Sequence, residues 1–169
     1  LLIDEPNSYY PDPFDIVVSP DGKKAFVSSS GVDVVSVIAL DSLRNLLETS
    51  TQSELDQLAN DLSASRNYII GRIKTGSGPK GMAVSPDGKQ LLGLLRENVR
   101  TSNARFIVSD DEGRTWSKPR FLQGALSGDR HQAKYVSDGR LVIVFRDMAP
   151  ESPTRGHFVG WVGTYDDVV

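Results

Sequence analysis

Three short polar phrases in this sequence combine groups that could hold or transform an anion: Arg96-Glu97, Asp129-Arg130-His131 and Arg146-Asp147. A guanidinium is a planar fork that meets a carboxylate through two parallel hydrogen bonds, so arginines converging from three places would fix a carboxylated ligand. The carboxylates beside them, Glu97, Asp129 and Asp147, could serve as ion-pair partners or as acids. His131 could act as a general base, since imidazole titrates near neutrality. Each phrase also has a plain structural reading as salt bridges between loops, and a histidine beside Asp129 and Arg130 can equally be a loop hydrogen-bond donor. The choice depends on the elements that bring the phrases together.

Those elements announce themselves by repetition. "VSPDGK" stands at residues 18 to 23 and again at 84 to 89, and a shortened "VSDGR" stands at 136 to 140. Around them the chain reads as short runs rich in Val, Ile, Phe and Tyr, punctuated by Gly, Pro, Asp and Ser. The strands expected are 14–18, 24–28, 32–40, 67–74, 81–84, 90–95, 105–109, 120–122, 132–136, 141–145 and 157–164. In each repeat Asp-Gly closes one strand and opens the next, because both residues tolerate the positive φ of a tight hairpin turn. One stretch, 41–65, has a helical period instead: Leu43, Leu46 and Leu47, then Leu55, Leu58, Ala59 and Leu62. Thr51 and Glu54 fit a capping box, which implies two short helices, the second starting near Ser53. The leucine stripe is expected to pack on the edge of its own sheet.

From Asp21 to Asp87 is 66 residues, and from Asp87 to Asp138 is 51. Setting aside about 24 helical residues leaves about 42 in the first interval, and four-stranded propeller blades run at roughly 40 to 50. The expectation is an all-β propeller of about three four-stranded blades per chain, at 13–75, 79–123 and 131–166, with a helical insertion at 41–65. The third blade supplies only three strands. Propellers close with roughly four to eight blades, so a dimer making a six-bladed ring is expected, with Leu1-Leu2-Ile3 as the missing strand on its own or a partner chain. In such a fold the loops after the second and fourth strands of each blade share one end of the central channel. That end receives Arg96 and Glu97 with Asn98 and Arg100, then Asp129, Arg130 and His131, then Arg146 and Asp147 with Arg155.

Composition narrows the partners. The 169 residues are 38% hydrophobic and 24% charged, with a net charge of −3, and the basic residues are dispersed, which argues against nucleic acid. Cysteine is absent, removing disulfides, thiolate metal sites and thiol catalysis. No apolar run reaches the roughly 18 residues of a membrane span, and the start lacks a signal-peptide layout. A first residue that is not Met suggests a processed chain or part of a longer one.

Two resemblances cover different parts of the chain. Residues 13–90, with "PFDIVVSPDGKKAFVSSSGVDVVSVIAL" and "GRIKTGSGPKGMAVSPDGK", resemble the YVTN-type propeller repeats of bacterial surface and periplasmic proteins. Residues 91–169 resemble the BNR-repeat sialidase superfamily through "SDDEGRTW", in which Ser109, Asp111, Gly113, Thr115 and Trp116 fit the Asp-box pattern S-x-D-x-G-x-T-W. The seam suggests a natural mosaic or an engineered chimera forming one propeller domain. In the sialidase family the box is a structural turn between the third and fourth strands, away from the active site. Its chemistry agrees: Asp111 can accept hydrogen bonds from its own turn, Gly113 supplies a permissive backbone, and Trp116 a large apolar ring. The run Asp110-Asp111-Glu112 lacks the ligand alternation of a calcium loop, so no metal and no cofactor are expected.

The sialidase resemblance implies an arginine cluster on a substrate carboxylate, an acid/base carboxylate and a tyrosine nucleophile assisted by glutamate. Arg96, Arg130 and Arg146 are the candidates for the cluster, with Glu97, Asp129 and Asp147 as partners or acids. The family's apolar-Arg-Ile-Pro motif is absent, and no tyrosine and glutamate pair by motif; Tyr165 stands near a strand end without a matched neighbour. The expected function is therefore a sialidase-like module recognising an anionic glycan, with exo-glycosidase activity as an extension. The competing expectation is a non-enzymatic propeller scaffold or a chimera with no selected activity. The resemblance also implies a location outside the cytoplasm.

Overall fold

The structure, a computed structural model, describes residues 2–4, 6, 11–96 and 103–169. The strands are β1 (Pro13–Val18), β2 (Lys24–Ser29), β3 (Val34–Ala39), β4 (Ile69–Lys74), β5 (Pro79–Val84), β6 (Leu91–Leu95), β7 (Arg105–Ser109), β8 (Arg120–Phe121), β9 (Gly128–Tyr135), β10 (Leu141–Asp147) and β11 (Phe158–Gly163). Two helices, α1 (Leu40–Thr49) and α2 (Gln52–Leu58), fall between β3 and β4. The strands form three antiparallel meanders, β1-β2-β3-β4, β5-β6-β7-β8 and β9-β10-β11. The chain is all-β and propeller-like.

The sheets stack because their strands are apolar on both faces. Val17, Phe26, Val35 and Val37 of the first sheet pack on Met82 and Leu91 of the second. On the second sheet's other face Leu92, Leu94, Phe106 and Val108 meet Ala133, Leu141, Ile143 and Phe145 of the third. The leading strands β1, β5 and β9 converge along one side. Ser28 Oγ donates to the Lys80 carbonyl at 2.7 Å, and the Met82 amide donates to Asp15 Oδ2 at 2.9 Å. Gly81 lies so close to β9 that a Cβ there would sit 2.5 Å from the His131 carbonyl oxygen.

The three repeated corners are built alike. Ser19 Oγ donates to Asp21 Oδ1 at 2.6 Å, and the same carboxylate oxygen accepts the Lys23 amide at 3.0 Å. Ser85, Asp87 and Lys89 repeat these bonds at 2.6 and 3.1 Å, and Asp138 accepts the Arg140 amide at 3.1 Å. Positive φ was expected of both turn residues, but only Gly22, Gly88 and Gly139 adopt it. The aspartates stay at negative φ because their side chains organise the turn by accepting hydrogen bonds.

The capping box at Thr51 and Glu54 is present at the start of α2. Only the first part of the leucine stripe, Leu43 and Leu46, packs on the sheet, and on its face rather than its edge, while Leu47 and Leu62 stay exposed. Leu40, Leu43 and Leu46 pack on Ala25, Val27, Ile38, Tyr68 and Ile69, on the outer face of the first sheet. Ile3 packs against the same cluster, and the Leu2 carbonyl accepts the Tyr68 hydroxyl. The start of the chain is thus tied to its own first sheet rather than its own third, which has three strands among the described residues; Leu1 lies outside them. The third sheet also begins earlier than expected, at Gly128, and β10 runs on to Asp147. The expected seam at 90/91 falls between β5 and β6 of one sheet.

Candidate functional site

The phrases expected in loops are largely strand residues. Asp129, Arg130 and His131 sit near the start of β9, and Arg146 and Asp147 end β10. A register shift between Val144 and Arg146 sets Arg146 opposite Asp129. Arg146 Nε donates to Asp129 Oδ1 at 2.9 Å and Nη2 to Oδ2 at 2.5 Å, a two-point ion pair with Asp129 buried. Burial pushes the Asp129 carboxyl up, but the Arg146 hydrogen bonds and charge, with Arg96 and Arg130 at longer range, outweigh it and hold it below the usual range. The same bonds raise the Arg146 guanidinium.

Arg130 has φ +60°, a conformation that departs from a regular strand, and its side chain is exposed. His131, the next residue, turns inward and is 2% exposed. Its ring stacks on Phe145 with centroids 5.0 Å apart and planes 9° from parallel. Nε2 lies 2.9 Å from the Leu126 carbonyl, which can only accept, so this nitrogen carries the proton. Burial lowers the imidazole pKa and keeps the ring neutral. Asp147 organises the following loop: it accepts the Ala149 amide at 2.9 Å, the Thr154 hydroxyl at 2.6 Å and the Ser152 hydroxyl. The Ser152 and Thr154 bonds hold its carboxyl below the usual range.

Arg96 follows β6, and its amide donates to the Gly78 carbonyl at 2.8 Å. Its Nε is buried with no hydrogen-bond partner among the described residues. Lys80 lies nearby with its ammonium 4.2 Å from the centre of the Phe14 ring, its pKa lowered by burial and by the Arg96 charge. Of the three arginines only Arg146 contacts Asp129, with Arg96 and Arg130 adding charge at longer range, while Asp147 and His131 are turned to other tasks. Glu97 lies outside the described residues, as do Asn98 and Arg100.

The turn between β7 and β8 occupies the other end of the second sheet. Asp111 accepts the Thr115 amide at 2.8 Å, the Thr115 hydroxyl at 2.7 Å and the Ser109 hydroxyl at 2.8 Å. Those bonds, the Thr115 amide foremost, lower its pKa to about 2. Ser109 Oγ accepts the Gly113 amide at 2.9 Å, and Trp116 Nε1 donates to the Gly113 carbonyl at 3.2 Å. Gly113 has φ +79°, and a Cβ there would sit 2.4 Å from Phe26 Cε1, so this turn presses directly on the first sheet. Trp116 packs with Phe26, Met82 and Leu91 between the first two sheets.

The acids of this turn diverge. Glu112 pairs with Arg114 at 2.9 Å and Lys24 at 3.5 Å, and Asp110 accepts the Tyr165 hydroxyl at 3.0 Å. Among the described residues no group of three or more His, Cys, Asp or Glu side chains is placed to hold a metal. Sequence reading missed the Tyr165–Asp110 bond, which joins the second and third sheets across 55 positions without any local signal. Burial and that bond raise the Tyr165 phenol, at the end of the array away from Asp129.

No family model matches the chain. Hydrazine synthase subunit beta of Kuenenia stuttgartiensis is 37% identical over 89 residues, covering 53% of this chain and 23% of that protein. The solved Kuenenia stuttgartiensis hydrazine synthase aligns with a TM-score of 0.54 at 35% identity, over 56% of this chain and 27% of that one. The periplasmic gluconolactonase of Pseudomonas aeruginosa aligns over 90% of this chain and 40% of that one, with a TM-score of 0.44 at 20% identity. The chain thus spans roughly a quarter of the length of the hydrazine synthase relative it matches. The structural neighbours are propeller-like.

Proposed function

We propose that this chain is a non-catalytic propeller segment that serves as a structural part of a larger assembly. One observation carries the reading: among the described residues, the candidate acid/base side chains are engaged in holding the fold. Asp129 is closed by Arg146, Asp147 by its own loop, and His131 is stacked inside the core with its proton on a backbone carbonyl. A general acid or base must reach the proton it moves, and these groups face protein. Similarity to a protein named as a subunit of hydrazine synthase supports a role in assembly. The test is hydrolysis of a fluorogenic sialoside by the wild type and by Asp129→Asn and Asp147→Asn. Background rates for all three, with lower melting temperatures for the variants, are expected; turnover that disappears in the variants at unchanged stability would overturn the reading.

A second reading, recognition of an anionic glycan without hydrolysis, rests on Arg96. A buried guanidinium nitrogen with no acceptor among the described residues is costly unless a ligand supplies one, and Lys80 adds positive charge beside it while Arg130, like Arg96, acts on Asp129. Titration with a sialylated glycan and its desialylated counterpart tests it. Preference for the sialylated form that falls about tenfold in Arg96→Ala or Arg130→Ala, and not in Arg120→Ala, would support this reading. Equal affinity for both glycans would end it.

A further inference from the structure

His131 is a titratable group built into the joint between the second and third sheets. Its ring is buried, stacked on Phe145 of β10, and its one N–H is given to the Leu126 carbonyl at 2.9 Å. Among the described residues Nδ1 makes no hydrogen bond. A second proton would therefore put a charge and an unpaired donor into a buried slot, which such a site resists. The backbone around the ring is set apart from the rest of the sheet. A register shift separates the pairs Gly128–Asp147 and Asp129–Arg146 from the remainder of the β9–β10 ladder, and Arg130 holds φ +60°, a strained value for an L-residue. On the other side the His131 carbonyl lies against Gly81 of β5. The charged groups on the elements packed around the ring are Asp129 and Arg130 on β9, Arg146 and Asp147 on β10, Lys80 on β5 and Arg96 after β6; the turn of residues 124–126 has none. Of these only Asp129 acts on the imidazole, favouring its charged form, and burial outweighs it.

We propose that His131 is an acid-operated latch: protonation drives the ring out of its slot, and Gly128–His131 part from β10 and from Gly81 while the rest of the fold stays closed. An inward-pointing strand side chain keeps to its face whatever its rotamer, so the ring reaches water only if its segment turns. The direction follows from linkage. An imidazole released to water takes its proton near 6.5, whereas burial makes the enclosed ring take it only at lower pH, so the open form gains as pH falls below about 6.5. Each pH unit below that value favours opening by roughly tenfold until the enclosed ring also titrates. Arg146 holds the Asp129 carboxyl below its usual range, so that ion pair does not titrate in this window and His131 sets it. Opening frees Arg130 from its left-handed backbone and stops at the register shift. A structural segment would thereby carry an acid-sensitive joint between its second and third sheets, whether or not it binds a glycan.

The chain has two histidines, His131 and His157, so one variant assigns both ring signals. His131→Phe keeps an aromatic ring against Phe145 and cannot titrate. Wild type and this variant are compared by hydrogen exchange between about pH 7 and pH 5, with rates expressed as protection relative to the unfolded chain. In wild type the amides of Gly128–His131 should lose about tenfold of their protection between pH 6.5 and pH 5, and those of β2 and β6 none. That loss should be absent in His131→Phe and should track the His131 ring signal in a proton NMR titration. Where His131→Phe does not fold, the contrast between β9 and β6 in wild type decides alone. Unchanged protection of β9, equal loss in the phenylalanine variant, equal loss in all three sheets, or a ring that titrates while β9 keeps its protection would overturn the proposal.

Discussion

Asp129 and Arg146 face each other across β9 and β10 and close a two-point ion pair, Nε to Oδ1 at 2.9 Å and Nη2 to Oδ2 at 2.5 Å. The pair sits where Gly128 presses against the Arg146 backbone, a Cβ there falling 2.2 Å from the Arg146 carbonyl oxygen. Removing one partner leaves the other charge uncompensated. Asp129→Asn and Arg146→Ala should both lower the melting temperature by several degrees. Arg146→Lys should recover little of the loss, because an ammonium keeps the charge and loses the fork. Thermal melts of the three variants check this; a lysine variant as stable as wild type would count against the geometry.

Asp111 gives a pH signature. Its carboxyl is held at about 2 against an ordinary 3.8 by Thr115 and Ser109. The folded-state value lies below the unfolded one, so its contribution is complete above about pH 4 and is lost as pH falls through the folded value. Asp111→Asn should therefore be less stable than wild type at neutral pH, with the gap closing between about pH 4 and pH 2. Denaturant melts at stepped pH measure it, and a gap independent of pH would contradict the assignment.

His131 predicts a different window. Burial lowers its pKa, so the unfolded chain takes up a proton near 6.5 that the folded chain refuses. Its contribution is present above that value and is lost as pH falls from there through the folded-state pKa. His131→Gln, which cannot titrate, should be less stable overall yet show a shallower loss of stability from pH 6.5 to about pH 5. A steeper slope in the variant would mean that the ring is charged in the folded chain.

Gly81 tests the convergence of the leading strands. An added methyl would meet the His131 carbonyl oxygen at 2.5 Å and Gln132 Cα at 2.7 Å, both backbone atoms that cannot swing aside. Gly81→Ala should cost about 1 to 3 kcal/mol in urea unfolding, the range for overpacking a tight contact. Gly160→Ala, with open space around it, should lie close to wild type.

The strands were legible because turns punctuate them: the Asp-Gly corners, Pro and Ser mark nearly every boundary, and the strands between are apolar. The helices were legible from the leucine period and the Thr51–Glu54 box, but the face that α1 covers was not, since a stripe says that a helix packs and not on what. The start of the third sheet was hidden because Gly128-Asp129-Arg130-His131 has no strand-like alternation. That segment is a strand through its pairing with β10, with Arg130 at positive φ, and tertiary pairing overrides local propensity there. The same segment decides the candidate site. Sequence could bring Asp129, Arg130 and Arg146 to one end of the fold, but whether Arg146 faces a ligand or Asp129 depends on a register shift that no local pattern records.

Hydrogen exchange in Arg146→Ala reads whether Asp129 and Arg146 hold the third sheet together. Amides from Gly128 to His131 and at the end of β10 should lose protection relative to wild type, while those of β2 and β3 keep theirs. Unchanged protection throughout β9 and β10, together with lost affinity for a sialylated glycan, would contradict it and return Arg146 to a ligand.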